Sequence, residues 1–382
     1  MNAKQLTEFL DMMRTPGSEI SIYYKHKEIY HHTAGYSDEA KTKKTAPDDL
    51  YILYSSSKVM TCAAAMQLIE KGVIAPDDPV SKYLPEYASV TVNENGETVP
   101  AKTVMTLRHL FSMCGGLDYD LNAPAIVRVK KETDNKAGTR EIVKAIAEKP
   151  LMFHPGTHFN YSLCHDVLGA VIEVASGMSF GDYMRANIWN PLGLKDTCFF
   201  PNAEQETRLV SQYRMENGEF KSVPKTCAYR LSENYESGGA GIISSVSDYA
   251  LFTDAMANGG VGANGARILK PETIDLMRTP QLDETCYTDL HNRCRNKLGY
   301  SYAFGVRSLI DKEQADSLSP IGEFGWDGAA SSYAMIDPEN GLSLFYAEQV
   351  LGHEAGYSMI HPYIRNAAYG VLKEYLTNEA KG

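Results

Sequence analysis

Leu6, Phe9, Leu10 and Met13 recur with the period of about 3.6 residues that marks one helix face. Residues 4–13 are therefore predicted to form an amphipathic helix that stops before Pro16-Gly17. Residues 20–24 and 28–35 then read as two strands around a short polar turn, an antiparallel hairpin. Residues 59–69 are apolar or small almost throughout. They follow a serine cluster and close at Gly72, which predicts a buried helix with its start at the serines. Helical spacing dominates the middle of the chain. Thr106 caps 107–111, residues 139–147 end at Pro150, Leu163 to Val174 closes at Gly177, and 180–189 ends at Pro191. Strand character returns after Gly238-Gly239-Ala240-Gly241. Ser245 and Asp248 open a helix over 249–257. Residues 331–336 and 342–347 flank Asp337-Pro338-Glu339-Asn340-Gly341 as a second hairpin, and a last helix covers about 357–376.

Strands near both ends with helices between them imply an α+β fold. Its antiparallel sheet is built from both chain ends and flanked by helices. Residues 1–75 and 236–382 are assigned to the sheet region and 76–235 to an inserted, mainly helical region. The cleft between the two is where a site is expected.

Composition narrows the function. With 43% apolar and 22% charged residues among 382, a sizeable core is available. A net charge of -11 argues against nucleic acid or an anionic membrane surface as partner. The N-terminus lacks the apolar core of a signal peptide, and no stretch approaches the ~20 apolar residues of a membrane span. A cytoplasmic protein is expected. Seven cysteines are dispersed with no C-x-x-C, which fits reduced thiols rather than a disulfide framework. His154, His158 and His165 form the closest histidine cluster, but Pro155-Gly156 keeps the first two off a regular helix. Solvated loop histidines are expected there, with no metal and no cofactor. The oligomeric state is left open.

Chemistry enters at Leu53-Tyr54-Ser55-Ser56-Ser57-Lys58. On a first helical turn Ser55 and Lys58 share one face, and a hydroxyl beside an amine at the positive helix end is a route to a nucleophile. A chain of this length carries about one or two S-x-x-K matches by chance. A second stands at Ser222-Val223-Pro224-Lys225, followed by no helical period, and is read as loop. The plain alternative for the first is a capping Ser55 with Lys58 in solvent. Candidates for the remaining parts are His158-Phe159-Asn160-Tyr161-Ser162-Leu163 and Gly325-Trp326-Asp327-Gly328-Ala329-Ala330.

With these motifs in order, residues 18–350 or so resemble the serine β-lactamase and penicillin-binding-protein superfamily, in its class C-like branch. Further matching patterns are Met105-Thr106-Leu107-Arg108-His109-Leu110, Asn190-Pro191-Leu192-Gly193-Leu194 and Gly238-Gly239-Ala240-Gly241. The resemblance implies that Ser55 forms an acyl-enzyme and that Lys58 and Tyr161 share the proton transfers. The backbone N–H groups of Ser55 and Ala329 would make the oxyanion hole. A free Tyr titrates near ~10, so either the Lys58 ammonium favours a Tyr161 phenolate or a neutral, desolvated Lys58 takes the proton.

Two positions depart from the β-lactam-processing pattern. Leu163 stands where the family has Asn in Y-x-N, and Trp326 stands where it has a basic residue or His. Both replace polar groups by apolar surface, as in the esterase members, so Trp326, Gly328 and Leu163 are expected to line the substrate site. The expected activity is a carboxylesterase on small esters, the expected partner being a small-molecule ester or amide substrate. The alternative is a β-lactamase or D-amino-acid peptidase on the same residues. A rival nucleophile is Ser179 in Gly177-Met178-Ser179-Phe180-Gly181, with His353 or His361 as base. It lies between two helices, where G-x-S-x-G needs a strand before it, and reads as a helix cap with Asp182. A non-catalytic binding role is the remaining possibility. The helical region around 115–140, which includes Asp118-Tyr119-Asp120-Leu121-Asn122-Ala123, is expected to shape the pocket.

Overall fold

Seven antiparallel strands form the main sheet, in the spatial order Lys27–Gly35, Gly17–Tyr24, Leu342–Glu348, Tyr333–Asp337, Phe324–Gly325, Arg307–Leu309 and Tyr300–Tyr302. The computed structural model describes residues 1–381, with Arg295 described by its backbone alone. The N-terminal and C-terminal hairpins meet edge to edge, Ile20 opposite Tyr346 and Ile22 opposite Leu344. The period of two then sorts the side chains. Ile20, Ile22, Met335, Leu344 and Tyr346 face the first helix, Ala3–Met13, and the last, His361–Glu379. Ala334, Ile336, Phe345 and Ala347 face the other way, into the larger core. There Tyr249 of the Val246–Ala257 helix stacks on Phe345 at 3.9 Å. Burying one such large side chain contributes about 1.5–3 kcal/mol relative to exposure.

The Ser57–Glu70 helix is apolar on all sides, and every residue from Ser57 to Leu68 is buried. A helix with no polar face belongs in the interior. It packs against the Cys164–Ser176 helix, whose apolar stripe the sequence displays clearly.

Several elements were not legible from periodicity. Hairpins Thr91–Glu94 with Glu97–Pro100, and Gln212–Glu216 with Glu219–Val223, lie inside the stretch assigned as mainly helical. Their turns are Asn95-Gly96 and Asn217-Gly218, all four residues at positive φ, which is the strongest short hairpin signal a sequence can carry. The flanking strands are polar and largely exposed, so no apolar alternation announced them. Ser222 consequently sits on a strand rather than in a loop. The last α-helix begins at His361, after a π-helical turn over Gly356–Ile360, because Pro362 in its first turn has no N–H to extend the ladder backwards. Among the described residues all seven cysteines are free thiols, and no helix is long and apolar enough to cross a membrane.

Candidate active site

The short strand Tyr51–Ile52 pairs with Ile243–Ser244, and Leu53 N–H continues the contact by donating to Ile242 O at 3.0 Å. The chain then turns sharply. Tyr54 takes φ +49°, a strained value for an aromatic residue, and its hydroxyl is tied to Gln212 Oε1 at 2.6 Å. A 3-10 turn over Tyr54–Ser56 delivers Ser55 to the mouth of the Ser57–Glu70 helix. Ser55 does not cap that helix. Its hydroxyl accepts a hydrogen bond from Lys58 Nζ at 3.1 Å.

Lys58 is fully buried, not in solvent. Its other two N–H groups go to Tyr119 OH at 3.1 Å and Gly239 O at 2.7 Å, so all three donors are used. Burial drives its pKa down to about 8, and the Asp166 carboxylate is the foremost influence in the other direction. Tyr161 turns its ring face to Lys58, with Nζ 4.7 Å from the ring centre. Its hydroxyl accepts from Trp326 Nε1 at 2.8 Å and lies near the Ser55 side chain. Burial holds this phenol well above its usual pKa. Two hydrogen-bonded pairs, Lys58 with Ser55 and Trp326 with Tyr161, thus meet where the Lys58 amine faces the Tyr161 ring.

The third motif reaches the Ser55 turn through a close backbone approach. A Cβ at Gly328 would overlap the Leu53 carbonyl oxygen and the Ser332 hydroxyl, so only glycine fits. Ser332 Oγ donates to Leu53 O at 2.9 Å and pairs with Ser56 Oγ at 2.8 Å, while Tyr357 OH donates to Gly328 O at 2.8 Å. Ala329 N–H has no hydrogen-bond partner among the described residues. Trp326 is 4% exposed and packs edge-on to Tyr302 at 4.9 Å. Asp327 is paired with the buried Lys297 amine at 2.7 Å.

Leu163 does not join this group in the way expected. It is 2% exposed and lines a cavity of about 20 Å³ with Gly116, Leu117 and Asp118, a void that Ser55 does not border. It opens the Cys164–Ser176 helix as part of the core, so its side chain is used for packing. Tyr119 was missed as a partner of Lys58. It lies in an irregular segment with no period or spacing to mark it, and its ring stands 5.8 Å from Tyr161 and 5.3 Å from Tyr229.

The rival serine has different neighbours. Ser179 Oγ accepts from Asp182 N–H at 3.1 Å, as a helix cap does. His353 is tied to Glu348, and His361 bonds Ser331 O at 3.2 Å with its pKa pushed down to about 3 by burial. The second S-x-x-K is also dispersed, with Ser222 on Glu39 and Lys225 on Leu209 O. His154 pairs with Glu94, His158 with Asp289, and buried His165 with Phe111 O. Among the described residues no three His, Cys, Asp or Glu side chains converge as metal ligands.

A site of this kind, on this fold, has relatives. A family model described as Beta-lactamase matches residues 3–368. Esterase EstB of Burkholderia gladioli is 28% identical over 352 residues, covering 85% of this chain and 84% of the relative. Acyltransferase calJ of Penicillium decumbens is 28% identical over 353 residues, covering 84% and 81%. Among solved structures, EstCE1, a hydrolase with promiscuous acyltransferase activity, superposes with a TM-score of 0.78 over 97% of each chain at 25% identity. With a match spanning nearly its whole length, the chain belongs to the beta-lactamase family of serine hydrolases.

Proposed function

We propose that the protein is a carboxylesterase acting on small esters through an acyl-enzyme on Ser55. The observation that carries the reading is the buried Lys58 amine hydrogen-bonded to Ser55 Oγ, with Tyr161, held by Trp326, facing the same amine. In this mechanism neutral Lys58 takes the Ser55 proton as Oγ attacks the ester carbonyl. With a pKa of about 8, roughly a tenth of Lys58 is free amine at pH 7. The Ser55 and Ala329 N–H groups receive the oxyanion. The tetrahedral intermediate collapses by breaking the C–O bond, and the Lys58 proton passes through Tyr161 to the departing alkoxide. Water, activated by the same pair, then hydrolyses the acyl-enzyme and restores Ser55.

The Tyr161 phenolate route finds no support in the geometry. In the resting site the three Lys58 N–H groups are given to Ser55, Tyr119 and Gly239, which leaves none for a Tyr161 phenolate until acylation of Ser55 Oγ frees one. Ester preference is supported at the third motif. The Trp326 N–H is spent on Tyr161, and Leu163 is buried in the core, so neither offers a polar group to an amide side chain or carboxylate. The similarity to Esterase EstB points the same way. A cytosolic location, supported by the free thiols, and the division into 1–75 with 236–382 against 76–235 belong to the same proposal.

The test is a side-by-side hydrolysis assay of a short-chain aryl ester and a chromogenic cephalosporin, with Ser55→Ala as blank. Ester turnover without cephalosporin turnover is expected. Efficient cephalosporin turnover would replace the esterase reading by the β-lactamase one, and an active Ser55→Ala blank would remove Ser55 altogether.

A further inference from the structure

Asp166 lies in the first turn of the Cys164–Ser176 helix, 1% exposed, with no ion-pair partner among the described residues. A buried carboxylate persists only where hydrogen bonds and a compensating charge hold it. Two donors hold this one, Tyr235 OH at 2.7 Å and Ser237 Oγ at 2.6 Å, and the Gly239 backbone lies against its other oxygen. Gly239 is shared. Its backbone packs against Asp166 Oδ2, and its carbonyl accepts Lys58 Nζ at 2.7 Å. A Cβ on residue 239 would overlap Asp166 Oδ2 and sit 3.4 Å from Lys58 Nζ. One glycine is therefore all that separates the carboxylate from the amine.

The other titratable groups facing Lys58 are held neutral by burial. The Cys62 thiol is pushed well up, Cys164 to about 12 and Cys227 to about 11. The Tyr119 and Tyr161 phenols are raised in the same way, and His165 is pushed down to about 3. Asp166 remains as the formal negative charge in this shell. Burial raises its own pKa, and Ser237, Lys58, Tyr235 and the Gly239 N–H act against that.

We infer that Asp166 is a positioning residue for the Ser55 chemistry: through Gly239 it holds the Lys58 amine on Ser55 Oγ, and its charge sets the pH at which that amine becomes free. The inference rests on the proposed role of Ser55. The sign is fixed by electrostatics. A nearby carboxylate favours the ammonium, so removing it lets Lys58 lose its proton at lower pH.

The test is Asp166→Asn, which keeps the shape and removes the charge. The readout is the rate of Ser55 phosphonylation by a fluorophosphonate probe across about pH 5 to 10, with the labelled serine mapped by mass spectrometry. The acidic limb is expected to move to lower pH by about one unit or more. A purely structural role would scale the rate equally at every pH and leave the limb in place, and that result would overturn the inference while leaving Ser55 as nucleophile. Absence of label on Ser55 in the parent protein would sink the Ser55 reading and this inference with it. If Asp166→Asn fails to fold, Asp166→Leu combined with Tyr235→Phe and Ser237→Ala removes the charge together with the donors that need it. The same shift is expected, and an unmoved limb is again the overturning result.

Discussion

The chain writes S-x-x-K twice, and the two copies end in opposite environments. Ser55 and Lys58 stand on a strained turn entering a buried helix, where the i,i+3 spacing brings Nζ to 3.1 Å from Oγ. Ser222 and Lys225 stand at the end of an exposed hairpin strand with Pro224 between them, and each bonds elsewhere. The four-residue pattern is the same. What differs is the next ten residues: an apolar run that forces helix and burial in one case, and polar, irregular chain in the other. Burial then does the chemical work. It brings Lys58 to about 8, within reach of neutral pH, whereas an exposed lysine stays protonated.

The largest effect should separate the two copies outright. Ser55→Ala and Lys58→Ala are each expected to cost at least ~10³-fold in ester kcat, because residues acting as one unit fail together. Ser222→Ala and Lys225→Ala should leave kcat unchanged, and a comparable loss in either would make the second copy part of the machinery. Next in size is Tyr161→Phe. Removing the hydroxyl that Trp326 Nε1 holds beside the Ser55–Lys58 pair should lower kcat by ~10²-fold or more with little change in KM, as for a lost proton relay. A near-normal kcat would make Tyr161 a packing residue.

The pH profile sharpens the comparison further. Lys58 has a depressed pKa, so its ammonium is present below about 8 and its free amine above. Ester kcat/KM should therefore rise about tenfold per pH unit on the acidic side and level off above about pH 8. A flat profile from pH 6 to 9, by initial rates, would rule out Lys58 as the base. The smallest effect expected is at Trp326. Trp326→Ala should change the ratio of kcat/KM between short and bulky esters by about tenfold while circular dichroism remains native. Global unfolding instead would mean that the 4%-exposed ring serves the core alone.

Legibility followed range along the chain. The buried helix after Ser55, the stripe of Cys164–Ser176 and both hairpins of the main sheet were readable, because each is a local period closed by a local stop signal. The short strands Tyr300–Tyr302, Arg307–Leu309 and Phe324–Gly325 were not, since two or three residues are too few to show a period. The Asn-Gly hairpins were written plainly in the turns and obscured by polar strands. At the site, Leu163 was misjudged. From its place at the Asn position of Y-x-N it is expected to face substrate, but the start of a helix turns it into the core.

By itself the sequence determined the partnership of Ser55 with Lys58. A spacing of three at a helix start brings the two onto one side, and the apolar run behind them favours burial over a solvated lysine. Only the tertiary structure decided what that lysine meets. Tyr119 lies 61 residues away and Gly239 lies 181 away, and Trp326 reaches Tyr161 across 165 residues. Such contacts depend on two chain segments sharing the same space. Glycines with no room for a Cβ, at 239 and 328, are what let the backbones come that close.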